Sequence, residues 1–400
     1  MKILWVCPTL LHPTINGSQI RTLGILRHLS RGNNIHFVGL SREGQTITER
    51  AEYCEEVYAF LHEPPKRKSV TFAWQALGNF LTGIPLYVDR YRSVAALEKV
   101  KQLLAANRYD AIVADFLLSA PNVPAIENAV LFQHNVEAII MARLADQATF
   151  PPTRAYLRHM AAKVDRYERA VCRKAKHVIT VSPADSRYIE SHYGVPKTSP
   201  LPTGVNVDYF RRPAHPEIQH PFDLVFVGSL DYLPNLGGVN WFVEQVLPLI
   251  HRQRPGVTVA LVGKNPGEEV RRFAEKDRRI HVTGTVPDVR PYLWSGGVSI
   301  VPLFAGSGTR LKIYEAMAAG LPVISTTIGA EGLTYERDRT IVIADDAEAF
   351  ARECVALIDD PDRRRRIGEA ACRQVNESSD WSMVSTEFEK ILDRVTAGRA

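Results

Sequence analysis

Cysteine is scarce: Cys7, Cys54, Cys172, Cys354 and Cys372 are odd in number, scattered, and never in a C-x-x-C pair. That spacing excludes a thiolate zinc site and a disulfide framework, and fits reduced thiols in a cytosol. Long apolar runs are missing as well. No stretch approaches the length of a membrane span, and the opening run Met1–Cys7 is too short for a signal peptide and meets Pro8 at once. There is little surplus charge. The net charge is +5 with basic residues spread along the chain, which argues against a nucleic-acid partner. The first strand is not followed by G-x-G-x-x-G, which weakens a dinucleotide oxidoreductase reading. No credible metal cluster is present, so neither metal nor resident cofactor is expected.

What is there is globular: 45% of the 400 residues are apolar and 23% charged, enough for two domains of ordinary size. Short runs rich in Val and Ile alternate with amphipathic stretches of helical length. In the first half they are 3–7, 35–40, 111–114, 129–132 and 178–181. In the second half they are 224–227, 257–262, 281–282, 298–301, 323–324 and 341–343. This rhythm predicts an α/β chain of buried parallel strands. It breaks once, across 206–221, where Arg211-Arg212-Pro213 and His215-Pro216 interrupt it. The expected domains are 1–205 and 222–380, followed by a helical segment, 381–400.

The most informative stretch is 301–331. A strand enters a loop with Gly306, Ser307, Gly308 and Thr309, and a helix carrying Glu315 follows, with Arg310 and Lys312 at its start. A helix start offers free N–H groups and a positive dipole end, so with two cations beside it a diphosphate fits. The plain alternative is a glycine turn capping a buried helix. In the first half, Asn16-Gly17-Ser18 follows the first strand and precedes a helix. That is also the default βα connection. His134, in Gln133-His134-Asn135, sits directly after strand 129–132, where a side chain can meet a substrate; the alternative is a bystander beside a capping Asn135.

The 301–331 stretch resembles the donor-sugar motif of the GT-B glycosyltransferases, family 4, also called group 1. The family pattern has two glutamates eight positions apart, then Ala-Met, a small residue, Gly and Pro-Val. Glu315 holds the second place, in Glu315-Ala316-Met317-Ala318-Ala319-Gly320-Leu321-Pro322-Val323, and Ser307 occupies the first. Pro202-Thr203-Gly204-Val205-Asn206 is similar to the stretch that ends the family's first domain. The resemblance implies two Rossmann-like domains facing across a cleft, with the last helix crossing back to the first. It implies a retaining, metal-independent transferase that moves a sugar from a nucleotide-diphosphate sugar to a glycan or lipid-linked acceptor. Arg310 and Lys312 would hold the diphosphate, in place of the Arg and Lys that many members carry where Ser229 and Asn235 stand. Gly228, Ser229, Lys264, Ser307, Gly308 and Thr309 would line the donor site. Glu315 would bind the ribose, and Glu331 is a second candidate near the sugar. His134 would contact the donor sugar and the Asn16-Gly17-Ser18 loop would face the acceptor. The Gly-Ser-Gly-Thr-Arg-Leu-Lys branch is similar to bacterial exopolysaccharide enzymes, including exosortase-associated ones.

Two other readings stand beside it: a nucleotide-sugar epimerase of the same fold, and a silent scaffold of a polysaccharide assembly. Two local features are also open. Lys66-Arg67-Lys68 with Phe72, Trp74, Leu77, Phe80 and Leu81 could rest on the cytoplasmic face of an inner membrane, or pack as an ordinary helix. Asp360-Pro361-Asp362 superficially matches a D-x-D metal motif, but before Arg363–Arg366 it reads as a helix start.

Overall fold

The computed structural model describes residues 1–14, 16–43, 45, 52–64, 69–70, 79, 82–214, 221–305 and 310–397. Lys66, Arg67, Lys68, Phe72, Trp74, Leu77, Phe80 and Leu81, and Gly306, Ser307, Gly308 and Thr309, lie outside the described residues.

Chain contacts divide the protein into two compact units, Met1–Thr203 with Trp381–Ala400, and Gly204–Asp380. Among the described residues the first holds seven parallel strands: β1 (Lys2–Cys7), β2 (Asn34–Ser41), β3 (Glu56–Leu61), β4 (Ala111–Asp115), β5 (Val130–Gln133), β6 (His177–Thr180) and β7 (Thr198–Pro200). Their order is β3-β2-β1-β4-β5-β6-β7, with Ile3 in register with Ile35 on one side and Ala111 on the other. The second holds six: β8 (Phe222–Val227), β9 (Val259–Val262), β10 (Ile280–Gly284), β11 (Gly296–Val301), β12 (Val323–Ser325) and β13 (Val342–Ile343), ordered β10-β9-β8-β11-β12-β13. In each sheet the order reverses once, between β1 and β4 and between β8 and β11. Ligands of doubly wound sheets bind at the carboxyl ends of such strands.

Both faces of each sheet are covered, which is why the strands read as continuous apolar runs. Leu224 and Phe226 pack into one core of the second unit while Val225, between them, packs into the other. β3 and β7 fall outside the expected strands. They are the sheet edges, where β3 is half-exposed and β7 is a three-residue Thr-Ser-Pro, so neither carries a buried-strand pattern.

The expected boundary at 206–221 moves to Thr203/Gly204. Val207 and Phe210, in a short helix (Val207–Phe210), belong to the second unit's core, and Trp294 Nε1 donates to the Phe210 carbonyl at 2.9 Å. At the other end the chain returns to the first unit as a helix, Trp381–Ala397. Its Trp381 ring lies so close to Gly24 that a Cβ there would overlap it. Ser385 Oγ donates to the Ile25 carbonyl at 2.6 Å, and Phe388 packs on Trp5 and Phe132.

Candidate active site

In the first unit, β1 leads through Pro8 and Thr9 to α1 (Gly17–Leu29). Asn16 is the N-cap of α1: its Oδ1 accepts from Gln19 N at 3.0 Å and from Ser18 Oγ at 2.6 Å. Gly17 is exposed at the helix start. Gln19 Nε2 donates to the Leu10 carbonyl at 2.7 Å and ties the loop down.

Asp115 ends β4 at the point of strand reversal, and the sequence reading overlooked it. Its Oδ2 accepts from Trp5 Nε1 at 2.9 Å and Thr22 Oγ1 at 2.7 Å, and its Oδ1 lies 2.6 Å from His134 Nε2. Arg21 Nη1 lies 3.2 Å from His134 Nδ1, and Arg21 Nε donates to Thr203 Oγ1 at 3.2 Å. A guanidinium only donates, so Nδ1 accepts and the ring proton sits on Nε2, toward Asp115. Burial, assisted by the Arg21 charge, lowers the His134 pKa against the pull of Asp115. Burial raises Asp115, but the His134, Thr22 and Trp5 contacts outweigh it and hold the carboxyl below its usual range. The result is a neutral imidazole between a buried carboxylate and a buried guanidinium.

His134 therefore stands at the expected strand end but is enclosed, 1% exposed, with both ring nitrogens engaged. It shares a small recess with Ser18, Thr22, Asp115 and Phe116. Phe116 has φ 74° and ψ 149°, a conformation that L-residues rarely adopt and that costs about 1–3 kcal/mol. Strain of that kind gathers at functional sites. The available signal for Asp115 was a carboxylate closing the apolar run 111–114.

In the second unit a helix (Leu311–Ala318) carries Lys312 and Glu315, with Arg310 at its N-cap position. Lys312 Nζ donates to Asn235 Oδ1 at 2.9 Å and stands 4.3 Å from the centre of the Phe226 ring. Asn235 Nδ2 donates in turn to the Ser229 carbonyl at 2.8 Å. The ammonium lies against Gly228, where an added Cβ would collide with it. A side chain there would push the ammonium out of this position. Both charged side chains are half-buried, with protein dense around their charged ends. Burial, then Arg310, pushes Lys312 down to about 7, while burial pushes Glu315 up to about 7 against the pull of Lys312.

Ser229 Oγ donates to Asp231 Oδ1 at 2.6 Å, which with Asn265 and the Lys264 charge keeps Asp231 low. Lys264 is half-buried beside it, its carbonyl accepting from Leu230 N at 2.9 Å. Glu331 is half-buried in the turn after Gly329, where a Cβ would meet Ser325. Asp360 is a helix cap, as its sequence suggests: Oδ1 accepts from Arg363 N at 2.8 Å. Among the described residues no three His, Cys, Asp or Glu side chains group as metal ligands, and no helix is long and apolar enough to cross a membrane.

Two doubly wound parallel units, each gathering polar groups at the carboxyl ends of strands where the order reverses, define a GT-B protein. Residues 15–209 match Glycosyltransferase Family 4 and residues 221–360 match Glycosyl transferases group 1. The chain belongs to the group 1 glycosyltransferases. It is 23% identical over 381 residues to the GDP-mannose-dependent alpha-(1-6)-phosphatidylinositol monomannoside mannosyltransferase of Mycobacterium tuberculosis, covering 84% of this chain and 97% of the relative. The chain spans about half the length of the first curated relatives it matches. Its fold superposes on sucrose-phosphate synthase of Thermosynechococcus elongatus with a TM-score of 0.71 at 18% identity, over 99% of both chains. It also superposes on Anabaena Alr3699/HepE, solved with UDP and glucose, with a TM-score of 0.68 at 16% identity, over 98% of this chain and 99% of the other.

Proposed function

We propose that this glycosyltransferase moves a sugar from a nucleotide-diphosphate sugar to a glycan or lipid-linked acceptor, retaining the anomeric configuration and needing no metal. The observation that carries this reading is Lys312, held by Asn235 against Gly228 at the carboxyl end of β8, with Arg310 at the adjoining helix start. Two cations and a helix N-terminus stabilise a nucleoside diphosphate as it leaves, which is an electrostatic role. Glu315, three positions on, accepts from the ribose hydroxyls. A nucleotide-sugar donor is consistent with UDP bound in the Anabaena structure and with GDP-mannose in the mycobacterial enzyme's name. That name also supports a lipid-linked acceptor.

Front-face displacement suits the first unit. Asp115 is spent on Trp5, Thr22 and His134, so it is not a free nucleophile. His134 acts on the donor sugar by shaping the recess wall.

Calorimetric titration tests the diphosphate assignment. Each charge-assisted contact is worth roughly 1.5–3 kcal/mol, so Arg310→Ala should weaken nucleoside diphosphate binding about tenfold or more. The monophosphate should lose less. Arg310→Lys should recover only part, because an ammonium cannot reproduce the bidentate fork. Undiminished diphosphate binding by Arg310→Ala would remove this site from the reading.

A further inference from the structure

At the opposite edge of the second sheet, below the amino ends of β8, β11 and β12, lies a concavity of about 740 Å3. Phe222, Gly296 and Pro322 mark those strand starts on its wall. β8 is six residues long, so roughly 20 Å of strand separates this edge from Gly228. The volume is that of a small-ligand site, roughly 300–1,000 Å3.

Its lining is strongly cationic. Arg211, Arg212, Arg364, Arg365 and Arg373 face it, and the only carboxylates among the described lining residues are Asp223 and Glu369. Asp223 is already occupied, its Oδ2 accepting from Thr258 N at 2.8 Å and Thr258 Oγ1 at 3.0 Å. Arg211 and Arg365 pair with Asp208 and Asp362, but those pairs are solvent-exposed and hold their partners weakly. Arg364 donates to the Leu357 and Ile358 carbonyls and has no carboxylate partner among the described residues. The side chains of Arg212 and Arg373 make no hydrogen bond or ion pair with the described residues.

The placement of the run Arg363–Arg366 is also unfavourable in the absence of an anion. It occupies the first turns of the helix Pro361–Ser378, where the dipole favours negative charge. Asp360 is used as the cap, so the cations at this helix start outnumber the anions. The carboxyl end of the helix Leu311–Ala318 reaches the same concavity and offsets only part of that field.

The geometry points to a second anion site here, taking a phosphate-bearing ligand on the guanidinium groups of Arg212, Arg373, Arg364 and Arg365. Guanidinium forks match phosphate oxygens bidentately, and a concave wall lets several act on one ligand. The site is separate from the diphosphate site proposed above and does not depend on it. Its phosphate can come from a free phosphorylated solute or from a lipid headgroup.

The test uses the full chain carrying Arg310→Ala, which weakens the nucleotide site, titrated with inorganic pyrophosphate and separately mixed with phosphatidylglycerol vesicles. Pyrophosphate binding should persist and should fall about tenfold or more when Arg212→Ala and Arg373→Ala are added. Both residues are exposed, so the fold should be unharmed, which thermal unfolding checks. Without Arg310→Ala, the arginine pair variant should bind nucleoside diphosphate normally. Arginine-dependent binding of pyrophosphate alone assigns the site to a free solute. Arginine-dependent capture by vesicles alone assigns it to a headgroup. Binding in neither arm, or binding indifferent to Arg212 and Arg373, overturns the site.

Discussion

Lys312 shows how one position can couple binding to protons. In the free protein burial and Arg310 hold its pKa down to about 7. A bound diphosphate supplies negative charge and raises it. Above about pH 7 binding must therefore take up a proton, and affinity should fall as pH rises from about 7 toward 9. Lys312→Arg, which stays charged, should flatten that slope. Titrations in two buffers of different ionisation enthalpy would detect the proton directly. His134 makes a different prediction. Its ring braces Asp115 and Arg21, so His134→Ala should disturb the recess and lower turnover by about a hundredfold. Nucleotide affinity should change little. His134→Gln, which can still donate to Asp115, should recover part of the rate. Equal losses in affinity and turnover would move His134 out of its sugar role.

Among the elements, the helix Glu137–Gln147 lacks a side-chain cap of its own, because Val136 stands at the N-cap. Glu168, from the helix Pro151–Lys174, supplies it across the fold. Its Oε1 accepts from Glu137 N at 3.0 Å and Gln133 Nε2 at 2.8 Å, and its Oε2 from Ala138 N at 3.1 Å and Tyr193 OH at 2.9 Å. Glu168→Ala would strand four buried donors, each costing about 1–3 kcal/mol when left unpaired. Chemical denaturation should show a loss of several kcal/mol, about 3 or more. A loss below about 1 kcal/mol would mean that water replaces the carboxylate. One helix that caps itself is legible in the sequence: Asp360-Pro361-Asp362 reads as a helix start, and Asp360 Oδ1 accepts from Arg363 N. The Val136 helix start is not, since its capping bonds come from 30 and 31 positions away.

For the whole molecule, the return of Trp381–Ala397 to the first unit decides how the parts unfold. Trp381, Phe388, Ile391 and Leu392 are buried there, so ending the chain at Asp380 would expose Trp5 and Phe132. Each large side chain uncovered costs roughly 1.5–3 kcal/mol. The truncated protein should lose the unfolding transition of the first unit and keep nucleoside diphosphate affinity, as calorimetry would show. Loss of nucleotide affinity as well would mean that the second unit's site needs the first. Turnover of the intact enzyme should persist in excess chelator, because Arg310 and Lys312 supply the countercharge. Loss of activity that magnesium restores would oppose that assignment.

Periodicity and local chemistry were enough for the α/β alternation, for eleven of the thirteen strands among the described residues, and for the helix that carries Lys312 and Glu315 with Arg310 at its start. Those features are written in neighbouring residues, where apolar runs, glycine turns and caps act over a few positions. The rest required the folded chain. Asn235 reads as a neutral substitute for a cation, and only the approach of its helix, Leu233–Trp241, to the later helix Leu311–Ala318 makes it the acceptor that places Lys312. His134 reads as an open side chain at a strand end, and only the convergence of β1, β4, β5 and α1 encloses it between Asp115 and Arg21. The arginines of the second concavity are split between Arg211-Arg212 and 364–373. Sequence separation hides such groups, because burial and pairing depend on which strands lie side by side.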